Sequence, residues 1–465
     1  MSSPPTIDAT PVIGTASVTT SRALWGAAFA AAHIVLAIAM RAIPQVGTAH
    51  ALLCLGFGVF IAATTRRMQY VAWLVAYIAG CEVLWRMCKA GVFWEYGKYS
   101  MTAIMLVAIL RLRVRHNFGL AFAYFALMVP SIVLTLELLG LADGRDQISF
   151  ALSGPLAIAC AVVFFSSVRL TATQLRATFL AFVAPIAGVS ALVFIKTEGV
   201  AALEFANNSN SMTSGGFGPN QVSAVMGLAM MLLILLALDR LTVWWLRLAL
   251  LLPSTILAFQ TVLTFARGGI MLALAGLFGA AFGLLRANRR ARIGVIVVAI
   301  LSYAIGTYIV APALEQETGG EVSLRYLNTQ SSGRDQIVDT ELEFFRNNPI
   351  MGVGPGVGTF LRLENGDIGP SHTEYTRMLA EHGVLGVLSL FCLVILGFRA
   401  VQGSDDRILR GMAAAMVIWG GLFLAIYATR LAAPAFALGL AFAISKSRPA
   451  AGKPTGSVGL PANVV

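Results

Sequence analysis

Apolar runs of about twenty residues, separated by short polar connections, recur along almost the whole of the 465-residue chain. A helix of that length spans the hydrocarbon core of a bilayer. The pattern predicts fourteen spans, at about 23–42, 47–64, 69–89, 99–112, 117–141, 148–169, 176–196, 219–238, 242–264, 268–286, 292–313, 376–399, 408–428 and 431–445. The fourth and the last are short. The expected fold class is therefore all-α, a polytopic membrane helical bundle of about 12–14 transmembrane helices. Residues 1–21 are polar and rich in Pro, Ser and Thr, and read as a disordered tail, not as the basic n-region of a cleavable signal. Between them and a second tail at 446–465 lie helices 1–11 (22–313), a large outer loop with short helices (314–375) and helices 12–14 (376–445).

Charge orients the bundle. With the N-terminus inside, the even-numbered connections hold Arg66–Arg67, Arg111, Arg113 and Arg115, Arg169 and Arg176, Arg240, the 286–292 arginines, and Arg399, Arg407 and Arg410. This is a consistent positive-inside distribution, with both termini cytoplasmic. The same bias accounts for the net charge of +11, which needs no nucleic-acid partner. Only 12% of residues are charged, against about 25% in an ordinary soluble domain. The five cysteines lie in apolar runs without metal-ligand spacing and read as packing residues.

The longest polar segment, Ser331 to Gly383, needs a separate explanation. Its first part, Arg334–Arg346, has helical periodicity: Val338, Leu342 and Phe345 share one face, and Asp335, Asp339, Glu343 and Arg346 another. Asn348-Pro349 and a glycine run from Gly352 to Gly358 then form what reads as a mobile turn. On the same outer side, Phe93, Trp94, Tyr96 and Tyr99 read as an interfacial aromatic belt.

Three residues carry the candidate chemistry. Ser371-His-Thr-Glu374 has the form of a capping box, which predicts a helix starting at Ser371 with His372 in its first turn. The positive helix end would keep that imidazole neutral, suited to act as a general base, and the alternative is a solvated loop histidine. His382, about 15 Å further along the same helix, reads as structural. Arg267 interrupts an apolar run ahead of Gly268-Gly269, and is either a site residue or a snorkelling arginine. Arg334 is either a phosphate ligand or a partner for Asp335 or Glu341. Arg346, Arg362, Arg377, Arg430 and Lys196 are lesser cations on the outer side. The glycine run matches no nucleotide-binding loop, and no D-x-D pair occurs in the outer loops.

These motifs, taken in order, resemble the O-antigen ligase and polymerase superfamily. Arg334, then Phe345-x-x-x-Pro349-Ile-x-Gly352-x-Gly354, then His372-Thr-Glu-Tyr-x-x-x-Leu-Ala-Glu381-x-Gly383-x-Leu-Gly386 follow that family's arginine, "n-P-i-x-G-x-G" and "H-N-x-x-L…E-x-G-x-x-G" pattern. Gly218-Pro219-Asn220 resembles its "n-P-N", and Phe265-Ala-Arg267-Gly its "S-R-G". The resemblance covers roughly residues 215–390; Ala266 and Thr373 depart from the usual serine and asparagine. It implies a type-C glycosyltransferase-like enzyme of the bacterial inner membrane, with its site facing the periplasm. Its partners would be an undecaprenyl-diphosphate-linked glycan donor, a lipid A–core or lipid-linked glycan acceptor, and membrane lipids. No metal or cofactor is implied, and the reaction would be inverting. His372 would be the base and Arg267 and Arg334 the diphosphate ligands. Arg346, Arg377, Glu374, Asn220 and Arg430 are secondary candidates.

A transporter is the competing class. It would place ionisable groups near the midplane and show paired broken helices or repeats. Here the charges gather at the outer edge, which favours surface chemistry. Within the superfamily the match around His372 is of ligase type, with an exopolysaccharide or O-antigen polymerase as the alternative.

Overall fold

The computed structural model describes residues 14–112, 117–198, 211–239, 242–287, 289–327, 334–364 and 371–447, and the described residues are helical throughout apart from turns. The first half comprises α1 (Gly14–Ala42), α2 (Pro44–Thr64), α3 (Met68–Met87), α4 (Tyr96–Leu112), α5 (Phe118–Ala126), α6 (Ile132–Phe165), α7 (Ala172–Glu198) and α8 (Pro219–Leu238). It continues with α9 (Trp244–Leu263), α10 (Arg267–Ala287), α11 (Arg289–Ile305) and α12 (Ala311–Thr318), the last two joined by a π turn. In the large loop lie α13 (Glu321–Leu327), α14 (Arg334–Asn347) and α15 (Val357–Glu364). The chain closes with α16 (Glu374–Gln402), α17 (Arg407–Tyr427) and α18 (Ala433–Ser445). Eleven of the described helices are long and apolar enough to cross a membrane, and α18 is a shorter apolar helix. The protein is a polytopic helical membrane protein.

Two expectations need correcting. Helix α1 reaches back to Gly14, so residues 14–21 are helical and not disordered, ahead of a candidate span at Leu24–Ala42. Residues 1–13 and 448–465, the rest of the two tails, lie outside the described residues. The spans expected at 117–141 and 148–169 are divided elsewhere. Helix α5 ends at Ala126, a turn through Pro130 follows, and α6 runs to Phe165. Proline lacks the N–H that would continue α5. The break expected near residue 142 is present only as a kink at Gly140, whose φ of +71° lies outside helical geometry.

Apolar side chains gain nothing by leaving lipid, so spans associate through close packing of small residues. Helix α8 is buried along almost all its length, and α10 and α17 pack beside it. A Cβ added at Gly276 would lie 3.1 Å from the Ala415 carbonyl oxygen, and one at Gly283 would lie 2.7 Å from the Gly411 Cα. At the loop end of α10, one at Gly269 would lie 2.2 Å from the Ser223 carbonyl oxygen of α8. Helix α11 packs on α10 at the edge of the bundle, with Ile293, Ile296, Ile300 and Tyr303 all exposed to its surroundings.

The glycine run is anchored to a neighbouring helix. Helix α16 is broken at Gly383 (φ +60°, ψ −139°), which frees the carbonyls of Ala380 and Glu381. The backbone N–H groups of Val353 and Gly354 donate to those two carbonyls at 2.9 and 3.0 Å, and Val384 N–H donates to Pro349 at 2.8 Å. The turn thus completes hydrogen bonds that the broken helix has lost. Gly352 has a φ of +68°, and a Cβ there would meet the Glu381 and His382 backbone at 2.4–2.5 Å. The glycines permit an interlock; composition alone suggested looseness.

Candidate active site

Helix α14 matches its expected limits within one residue, and Asp335, Asp339, Glu343 and Arg346 form its exposed face. Its inner face carries an unexpected charge. Glu341 is fully buried, pairs with the equally buried Arg362 at 3.0 Å, and accepts hydrogen bonds from the hydroxyls of Ser371 and Thr376. Arg362 also donates to Ser371 Oγ at 3.1 Å. One carboxylate therefore ties α14, α15 and the residue before His372 together.

That arrangement moves His372. Helix α16 starts at Glu374 with Thr373 as its N-cap, the Thr373 hydroxyl accepting from Tyr375 N–H at 3.2 Å. Ser371 is committed to Glu341 and Arg362, so the expected capping box does not form. His372 precedes the helix and is half-buried. Burial, followed by the positive charges of Arg430, Arg334 and Arg362, lowers its pKa to about 4. The imidazole is neutral, as expected, but through desolvation and arginines instead of the helix dipole. Its buried Nδ1 has no hydrogen-bond partner among the described residues.

Arg430 lies in the turn between α17 and α18 and donates to the Ser371 carbonyl at 2.9 Å. Burial and then the like charge of Arg334 push its pKa below the usual arginine value. Arg334, at the first position of α14, makes no ion pair among the described residues, so neither Asp335 nor Glu341 is its partner. Both arginines also act on Tyr427, the last residue of α17. The Tyr427 ring rests on Gly268, where an added Cβ would fall 1.9 Å from the hydroxyl oxygen. Arg267, immediately before Gly268, is the first residue of α10 and half-buried. The chain reaches it through Phe265, held at a φ of +57°. A helix N-terminus already favours anions, and an arginine there strengthens that preference.

His372, Arg334, Arg430 and the start of α10 thus meet at one end of the bundle. Other candidates are placed differently. Arg377 is buried between Glu374 and Glu381, at 2.5 and 2.6 Å, and donates to the Ala151 carbonyl. That internal network engages both Arg377 and Glu374. Arg377 and Glu381 line a cavity of about 50 Å³ together with Ser371 and Arg430. Arg346 is exposed in the last turn of α14, Asn220 is half-buried in the first turn of α8, and Lys196 is half-buried in the last turn of α7. His382 is buried against Ser131, with Nδ1 2.5 Å from the serine hydroxyl, in keeping with a structural role.

Sequence reasoning passed over the residues that hold Arg430 in place. Lys98 donates to the Thr429 carbonyl at 2.8 Å, Arg86 to the Arg430 carbonyl at 3.1 Å, and Ala432 N–H donates to Glu82 at 2.6 Å. Glu82–Arg86 and Glu95–Lys98 are themselves buried ion pairs. Acid–base pairs four residues apart within apolar α3 and three apart at the entry to α4 were a legible signal, because charges in or beside spans are rarely idle.

Residues 248–391 match the family model described as O-antigen ligase. The match supports the O-antigen ligase and polymerase superfamily, and a membrane glycosyltransferase of that general type. It spans Arg267, Arg334 and His372, while Arg430 and the α3–α4 charges fall outside it. No curated protein matches the chain.

Proposed function

We propose that this protein is an O-antigen ligase-type transferase, moving a glycan from undecaprenyl diphosphate to a hydroxyl of lipid A–core at the periplasmic face. The observation that carries the reading is the meeting of His372 with Arg334 and Arg430 beside the N-terminus of α10. Cations held near one another and near a neutral imidazole favour an anion between them, and a diphosphate is such an anion.

In this mechanism His372 takes the proton of the acceptor hydroxyl as its oxygen bonds to the anomeric carbon. The bond from that carbon to the diphosphate oxygen breaks, and the electron pair leaves with undecaprenyl diphosphate. Arg334, Arg430 and Arg267 stabilise the charge that develops there. Attack from the face opposite the leaving group inverts the anomeric centre. The same diphosphate offsets the arginine charge that depresses the His372 pKa, so the donor makes the base stronger when it binds.

The test is a deletion strain analysed by gel for lipopolysaccharide and secreted glycan. Loss of polymer from lipid A–core, with lipid-linked polymer accumulating, supports the ligase. Loss of long chains altogether means a polymerase, and unchanged glycans with altered lipid-linked flux mean a transporter.

A further inference from the structure

A second pocket, of about 290 Å³, opens at the same end of the bundle between the end of α3 and the turn into α4. Trp85, Arg86, Lys89, Phe93, Trp94 and Tyr96 line it. The expected aromatic belt is only part of what this turn builds. Phe93 and Trp94 are more than half and half exposed, with Lys89 exposed beside them. The Arg86 guanidinium lies 4.4 Å from the Trp94 ring centroid, and its side chain is only 7% exposed. Its two terminal nitrogens are engaged by Glu82, Gln221 and the Trp94 and Arg430 carbonyls. Its Nε is buried and has no partner among the described residues. A buried donor in that state costs free energy unless something accepts from it.

We infer that this pocket is a glycan subsite, binding one sugar ring of the transferred chain or of its acceptor, and this rests on the function proposed above. A sugar ring has an apolar C–H face that lies flat against an aromatic ring, and hydroxyls that accept from buried donors. Phe93 and Trp94 supply the first surface, and Arg86 Nε and Lys89 the second. A hydrocarbon chain would leave Arg86 Nε unsatisfied. The position suits a subsite: Arg86 donates to the Arg430 carbonyl, so the pocket wall and the cationic cluster share one guanidinium. The family match begins at residue 248, so nothing in it assigns these residues.

Binding is measured separately from transfer. Purified full-length protein, in a detergent without a sugar headgroup, is examined by saturation-transfer NMR with glucose, galactose, N-acetylglucosamine and glucose 6-phosphate. Glycerophosphoglycerol serves as the lipid-headgroup control. At least one sugar should bind, about tenfold more weakly in Trp94→Ala and in Phe93→Ala, and undiminished in His372→Ala. Using both aromatic variants guards against one that misfolds. The inference is overturned if no sugar binds the wild type, if binding survives both aromatic substitutions, or if only the headgroup control binds. In the transfer assay, a higher KM for the lipid-linked donor in Trp94→Ala assigns the ring to the donor. A higher KM for the acceptor assigns it there. Should transfer itself be absent in the wild type, the proposed function fails while the sugar-binding result still stands.

Discussion

His372 in the resting protein is a weak base because burial and three guanidinium groups all oppose its protonation. A base must be deprotonated to work, so activity falls as pH drops through its pKa. The acid limb of kcat/KM, which reports the free enzyme, should therefore lie near pH 4. Removing one positive neighbour raises the His372 pKa. Arg430→Gln should move that limb upward, toward the ordinary histidine value of 6.5, and lower kcat by about 10²-fold through lost stabilisation of the leaving diphosphate. A pH–rate profile checks both; an unmoved limb would separate Arg430 from His372. Glu341 makes a different prediction. Its carboxylate and Arg362 are both fully buried, so Glu341→Gln leaves an uncompensated charge and should cost about 3–5 kcal/mol, read as a lower unfolding midpoint in detergent. At this scale the sequence singled out His372, Arg267 and Arg334 by residue type, and the structure brings His372, Arg334 and the start of α10 to one end of the bundle. The sequence was silent where chemistry depends on a partner distant in the chain. Glu341 and Arg362 are 21 residues apart, and nothing local marks either as buried.

Among the elements, the interlock between the glycine turn and the break in α16 sets the position of the α16 N-terminus and hence of His372. Gly383→Ala would force a Cβ to within 2.5 Å of the Pro349 carbonyl oxygen at a φ of +60°, and should destabilise the protein by about 1–3 kcal/mol. Limited proteolysis of the 349–358 turn should speed up in the same variant. Gly306→Ala, where nothing lies within 4 Å, should leave both measurements unchanged. The existence of the spans was legible, because hydrocarbon length imposes an unmistakable period. The boundaries at α5–α6 and at α16 were less so. Glycines read as punctuation in a sequence, yet at Gly140 and Gly383 they bend helices that continue beyond them. The capping box at Ser371 failed for a related reason: its hydroxyl had a stronger, charged partner on another element.

For the whole molecule, the N-terminal half braces the turn that carries Arg430 in the proposed site. Lys98 and Arg86 hold the backbone carbonyls of Thr429 and Arg430 across more than 300 positions of sequence. Lys98→Met also leaves the buried Glu95 without its partner, so it should lower the unfolding midpoint and, at equal folded protein, reduce transfer by displacing the α17–α18 turn that carries Arg430; full activity per folded molecule would show that the turn holds its place unaided. The resemblance read from the sequence, like the family match, covers the middle of the chain, so neither points to a half that contributes backbone anchors. In the proposed function, groups from α10, α14, the α16 entry and the α17–α18 turn form one transferase site around His372. The most direct test is glycan transfer in proteoliposomes from an undecaprenyl-diphosphate-linked glycan to lipid A–core, comparing wild type with His372→Ala at equal incorporated protein. Transfer by the wild type and none by the variant is expected; wild-type rates in the variant would remove His372 from the reaction.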